Sequence, residues 1–303
     1  MFPIVRVDSR RVELLEQLGT KRKFWYRADD GTPTLFKAEE RGTGEDWSEK
    51  VACELCVLLG LPHVHYELAH DDLADVPGVV CATCAPPPMA LSLGNQLLQQ
   101  RDPAYPDGSK YKVRGHTVDA VAAVLHDMLV PPSAYCGALP PEIDSALAVF
   151  AGYVMLDAWI ANQDRHHENW AGLRDPSGLY LAPTFDHGAS LARNVSDSEK
   201  KERLESRDKR RRIPAFVRRA RSAFYADPGQ AKSMTTVAAW RAFEQLVPGA
   251  ARIWLDRLHA VSRPLLETIV NHVPPSRMSS VCREFTLEML LENQNRLLAG
   301  ETE

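Results

Sequence analysis

No apolar run in this sequence approaches the roughly 20 residues needed to span a bilayer, so no membrane-spanning segment is expected. The opening residues, "MFPIVRVDSRRVELLEQLG", lack the basic-then-apolar order of a secretion signal, which makes the cytoplasm the expected location. An excess of one charge is missing too. A net charge of -4 over 303 residues argues against a surface that coats nucleic acid or anionic lipid, while leaving room for a local basic patch. In the one densely basic stretch, "EKKERLESRDKRRRIPAFVRRARSAFY", aromatics are sparse and no DNA-reading motif is visible, so direct nucleic-acid binding is not expected. The 17 glycines are nowhere gathered into a multi-glycine phosphate loop; "LGTKRKFW", with Gly19 and Thr20, is the one stretch that could serve, and an ordinary hairpin turn is its alternative.

Cysteine is scarce but patterned. Of six, Cys53, Cys56, Cys81 and Cys84 form two CxxC pairs, a spacing that can mean zinc. "EKVACELCVLLG" reads as helix and "GVVCATCA" as a buried strand, and neither offers a polar knuckle to wrap a metal. Buried reduced thiols, packing as small hydrophobes, are therefore expected.

What is present is a chain 45% hydrophobic and 25% charged, enough to bury a real core in one large domain or two lobes. "RVELLEQLGTKRKFWYRADDGTPTLFKAEE" reads as strand, turn, strand, a "DDG" turn and a strand carrying Lys37. "DWSEKVACELCVLLGLP" follows as a helix, with Asp46 as cap, Glu49 three residues on as in a capping box, and Gly60 and Pro62 as the stop. Its buried stripe is Val51, Leu55, Leu58 and Leu59. "HVHYELAHDD" and "VPGVVCATCAPPPMALSLGNQLL" suggest further strands, and Pro86 to Pro88 would stiffen a connection. That places a boundary between a sheet lobe, residues 1–88, and a helical lobe, residues 89–303. In the second part "PEIDSALAVFAGYVMLDAWIAN" is apolar nearly all round and so belongs at the centre, and the chain from Val237 is mostly helix.

Behind that central helix comes "NQDRHHENWAGLRDPSGLYLAPTFDHGASL": a polar loop, a strand, a type I turn at "DPSG", a second strand and "FDHG". The hairpin can bring Asp164 and Asn169, before it, close to Asp186, after it. Two carboxylates and an amide held together suit phosphoryl transfer. One carboxylate aligns the attacking hydroxyl and takes its proton, while the other and the asparagine oxygen hold Mg2+ on the phosphates. The five-residue step from Asp164 to Asn169 equals that of the kinase catalytic loop, and "FDHG" is similar to DFG with its middle residue altered. Upstream, Lys37 supplies a phosphate-binding lysine, and Glu49 or Glu54 a carboxylate to hold it; helix phase does not choose between them.

"NQDRHHENW" with "YLAPTFDHGASL" resembles the HipA-like Ser/Thr kinases, with their N-x-D-R-H-x-x-N loop followed by L-A-P-x-[FY]-D, and "LFKAEE" with "SEKVACELCVLLGLP" resembles their lysine strand and following helix. The lysine strand arrives by residue 37, as in the short, HipT-like members. The resemblance implies an α+β, two-lobed protein-kinase-like fold, with a small antiparallel-sheet N-lobe and a mainly helical C-lobe. It implies Asp164 as catalytic base, Asn169 and Asp186 as catalytic Mg2+ ligands, Lys37 as the contact to ATP phosphates and Glu49 as its partner; the nucleotide cover departs from the family, with Gly19 and Thr20 as the candidate stretch. ATP and Mg2+ would be the cofactors, and a protein Ser or Thr hydroxyl the acceptor. It further implies toxin-like growth control through phosphorylation of a translation factor, restrained by an antitoxin partner and by autophosphorylation, for which Ser9, Thr20 and Thr43 are candidates by location.

Other readings stay open. A nucleotide-binding pseudokinase is suggested by the altered DFG and thin glycine loop, and a kinase of lipids or small molecules would share the same geometry. His166 and His167 could belong to a hydrolytic metal site, although adjacent histidines rarely converge on one ion and HExxH is absent. Arg165 is expected to pair with a neighbouring carboxylate or carbonyl, and Asp157, embedded in the apolar helix, to brace the loop. The basic run Lys209 to Arg212 reads as a solvated face or as a contact for an acidic partner.

Overall fold

Alternation governs the first part of the chain. In a computed structural model, which describes residues 1–15, 22–39, 42–135, 137 and 139–300, strands β1 (Ile4–Val7), β2 (Leu14–Leu15), β3 (Lys23–Arg27) and β4 (Pro33–Ala38) precede helix α1 (Glu45–Leu59). Strands β5 (Glu67–Asp71) and β6 (Val76–Ala82) follow. On β3, Phe24 and Tyr26 are buried on one face while Lys23 and Trp25 alternate to the other, the period-2 pattern of a strand, and Lys37 of β4, paired with Lys23, shares that second face. Phe24 stacks on Phe36 of β4 at 5.0 Å between ring centroids. Gly19 and Thr20 lie outside the described residues.

These strands form one sheet in the order β1-β5-β6-β4-β3-β2. All neighbours are antiparallel except β1, which runs parallel to β5 with Ile4 opposite Leu68. A parallel pair needs a long connection, and here the chain makes three strands and α1 before returning to β1. The antiparallel sheet expected from local pattern thus gains a parallel edge.

Helix α1 does not begin as expected. Gly44, at φ 81°, is its N-cap with no side-chain hydrogen bond, and Asp46 sits inside the first turn. The capping role falls to Glu39, whose carboxylate accepts the Thr43 and Glu45 amides at 3.3 and 2.5 Å. Asp46 is drawn away by Arg277, whose Nη1 stands 2.8 Å from its carboxylate. The stop is as expected: Gly60 takes the left-handed conformation at φ 62° and its amide returns to Cys56 and Val57.

The chain then builds β7 (Ala90–Leu93), α2 (Gly94–Arg101), α3 (Val118–Leu125), α4 (Ala146–Trp159), β8 (Ala171–Asp175) and β9 (Gly178–Leu181). Next come α5 (Asp197–Glu205), α6 (Ile213–Val217), α7 (Thr236–Leu246), α8 (Pro248–His259), α9 (Arg263–His272) and α10 (Ser280–Leu298). β7, β8 and β9 make a separate antiparallel sheet that holds the hairpin. Helix α4 is the centre of the main core, with all but Leu147 buried. Trp254 of α8 donates Nε1 to Ala148 O at 2.9 Å, and Trp159 donates to Leu290 O of α10 at 3.1 Å, so its neighbours are tied to it by polar as well as apolar contact. Cys53, Cys56 and Cys81 are buried, Cys84 is half-buried, and all four are free thiols. Among the described residues no helix is long and apolar enough to cross a membrane.

Candidate active site

Lys37 faces inward from β4, opposite Lys23 of β3 and Val79 of β6. Its ammonium stands 3.3 Å from Glu49 Oε2 and 2.7 Å from Asp186 Oδ1. Burial opposes its charge, but Asp186 and Glu49 overcome that and raise its pKa above the ordinary lysine value. Glu49 is held below the usual carboxylate range: burial pushes it up, and Lys37 with the His187 hydrogen bond pulls it further down. Glu49 also accepts the backbone amides of His187 at 2.8 Å and Gly188 at 3.0 Å. One carboxylate on α1 therefore holds both the lysine strand and the segment after Asp186. Glu54, the alternative to Glu49, pairs instead with Lys50 at 2.7 Å.

Asp186 adopts a left-handed backbone at φ 59°, a conformation that costs a non-glycine residue on the order of 1–3 kcal/mol and gathers at functional sites. The altered DFG residue, His187, is buried, with Nε2 2.8 Å from Thr184 Oγ1 and Nδ1 3.6 Å from Glu49. Its ring ties this turn to α1 by polar contacts.

The polar loop is built on a buried ion pair. Arg165 donates Nε and Nη2 to Asp157 at 2.7 and 2.9 Å and Nη1 to Asn169 O at 2.7 Å. Asn162 donates to the same Asp157 carboxylate at 2.8 Å. The two expectations about Arg165 and Asp157 are thus met by one contact, which closes the loop from both ends. Within it Asn162 Oδ1 accepts the Asp164 amide at 3.1 Å, and Asn169 Nδ2 donates to Asp164 O at 2.7 Å. Asn169 is left with its amide oxygen to offer a cation.

A cleft of about 280 Å3 lies between sheet and loop, and Lys23, Lys37, Tyr66, Lys110, Asn169 and Asp186 are among its walls. Asp164 opens instead on a neighbouring cavity of about 380 Å3 with Lys110, Lys112, Gln163, His166 and Arg221. The loop so presents Asn169 to one space and Asp164 to the next. Lys23 and Lys110 were missed by reading motifs. Lys23 could have been found from strand register, which sets it opposite Lys37; Lys110 comes from a loop with no local signal.

The two histidines do not converge on an ion. Their rings stand 6.3 Å apart at 88°; His166 Nδ1 accepts the Glu168 amide at 3.1 Å, and His167 Nδ1 meets Tyr105 Oη at 2.8 Å. Thr43 is engaged by Arg193 Nη1, and Ser9 lies in a 3-10 turn with its amide on Asp71 at 3.2 Å. In the basic run, Arg210 and Arg211 pair with Asp208 and Glu202, so half of it is neutralised locally.

A sheet lobe and a helical lobe, with a lysine, a helix glutamate and an aspartate meeting between them, define a kinase-like α+β protein. No protein-family model and no curated protein sequence matches the chain. Among solved structures it is similar to the Helicobacter pylori proinflammatory kinase CtkA, with a TM-score of 0.74 and 17% identity over 98% of this chain and 96% of that one. It is also similar to HipA of Shewanella oneidensis MR-1, solved with HipB and operator DNA, with a TM-score of 0.59 and 12% identity over 94% of this chain and 65% of that one. The fold is that of the HipA-like kinases.

Proposed function

We propose that this chain is a Mg-ATP-dependent Ser/Thr protein kinase of HipA-like type, with ATP held between residues 1–88 and 89–303. The observation that carries this reading is the Lys37 ammonium between Glu49 and Asp186 in a cleft that Asn169 also lines. Lys37 would bind phosphate charge, and Glu49, fixed by two backbone amides, sets where the ammonium stands. Asn169 and Asp186 offer an amide oxygen and a carboxylate, hard donors of the kind Mg2+ takes. When bound, the ion supplies charge neutralisation at the phosphates. Asp164 orients the acceptor hydroxyl and accepts its proton, and the cavity it opens on is where the acceptor side chain would enter.

The likeness to HipA, solved as a toxin-antitoxin system with HipB and operator DNA, supports a toxin-like role with an antitoxin partner; a translation factor as acceptor, in the cytoplasm, is what the motif resemblance implies. ATP binding measured against Mg2+ concentration tests the site. Asp186→Asn is expected to lose the Mg2+-dependent part of binding, and Asp164→Asn to keep it while losing turnover. Identical binding and turnover in wild type and both variants would overturn the assignment.

A further inference from the structure

One cluster lies outside this chemistry. Cys53 of α1 and His63 and His65, in the segment leading to β5, each offer a ligand atom, and these atoms all lie within 4.8 Å of one another. Their hydrogen bonds fix what each can offer. His63 donates Nδ1–H to Leu61 O at 2.7 Å, which leaves the lone pair of Nε2. His65 donates Nε2–H to Glu67 Oε1 at 2.7 Å, which leaves the lone pair of Nδ1, 3.7 Å from Cys53 Sγ. Metal-bound histidines are held in this way, the distal nitrogen on a carbonyl or carboxylate that sets tautomer and ring orientation. A tetrahedral zinc, with Zn–S of about 2.3 Å and Zn–N of about 2.0 Å, sets sulfur and nitrogen roughly 3.5 Å apart.

We propose that Cys53, His63 and His65 bind a divalent cation of borderline softness, zinc in the first instance, leaving one coordination position open. Binding forms one metal–sulfur and two metal–nitrogen bonds, and the thiol releases its proton to solvent. The Glu67 carboxylate that steadies His65 is itself anchored 3.0 Å from the buried Lys50. An ion here joins α1, one turn beyond Glu49, to a segment whose Val64 amide donates to Thr184 O at 2.9 Å, two residues before Asp186. It would pin the glutamate helix against the segment that carries the aspartate.

The test uses chelator-treated full-length protein titrated with Co2+, followed by near-ultraviolet absorption and thermal unfolding. Expected are one ion per chain, a thiolate-to-cobalt charge-transfer band, a raised unfolding midpoint, and displacement by Zn2+. Cys53→Ser should remove the band. His65→Ala, at a side chain 61% exposed and so tolerant of change, should weaken uptake at least tenfold with an unaltered circular dichroism spectrum. No charge-transfer band at saturating Co2+, or the same band and affinity in His63→Ala and His65→Ala as in wild type, would overturn the proposal. The readout involves no nucleotide, so it stands or falls apart from the kinase reading.

Discussion

Arg165 is only 1% exposed as a side chain, yet it keeps its charge: burial opposes ionisation, and Asp157 more than compensates, raising the guanidinium pKa. Such a pair contributes little net stability, but breaking it leaves a stranded buried charge. Arg165→Met should therefore cost about 3–5 kcal/mol in urea unfolding, whereas Arg165→Met with Asp157→Leu should return most of it. A double variant as unstable as the sum of its single changes would show that the pair is not acting as a unit. At the same scale, Lys37→Ala should weaken productive nucleotide binding, checked by titration with labelled nucleotide. The Arg165–Asp157 pair was legible because the two lie eight positions apart, one in the polar loop and one in the helix before it. The Lys37–Asp186 contact spans 149 positions and needed the fold.

Helix α4 carries a glycine where propensity alone would favour alanine by roughly 0.5–1 kcal/mol. At Gly152 an added Cβ would meet Trp254 Cε2 at 2.6 Å and Leu61 Cδ2 at 2.7 Å, so packing decides against it. Gly152→Ala is expected to destabilise by about 1–3 kcal/mol, read from the urea midpoint; a gain would mean that α8 and the end of α1 sit further from α4 than described. Helix ends show what local sequence can convey. Gly60 was readable because its left-handed cap is a property of the backbone at that residue. The start of α1 was not, because Glu39 caps it from the preceding strand side and Asp46 is claimed by Arg277, 231 positions away. The Cys53, His63 and His65 cluster was hidden for the same reason: its members belong to a helix and the chain beyond it, whereas the CxxC spacing sets Cys53 beside Cys56.

Across the molecule, burial holds the imidazoles of His116 and His166 down to about 3 from 6.5. His116 accepts from Trp170 Nε1 and donates to Ala223 O, both at 3.2 Å, as a neutral ring. Below about pH 6.5 the unfolded chain takes up protons that the native chain refuses, so this stability is present above that pH and is lost as pH falls toward 3. Each histidine contributes a slope of about 1.4 kcal/mol per pH unit. Urea unfolding between pH 7.5 and 5 should show the decline, and His116→Gln should make it shallower; a flat profile would contradict the neutral assignment. The two-lobed α+β fold was legible from element order, a sheet with one helix followed by a helical half, while the parallel β1–β5 edge was not, since no local pattern links Ile4 to Leu68. The central claim, phosphoryl transfer from this cleft, is met most directly by transfer of labelled γ-phosphate from Mg-ATP, using purified wild type and Asp164→Ala, alone and with a cell lysate. Label on a protein Ser or Thr with wild type only is the predicted result. No label despite measurable ATP binding would contradict it and leave a pseudokinase or a non-protein acceptor.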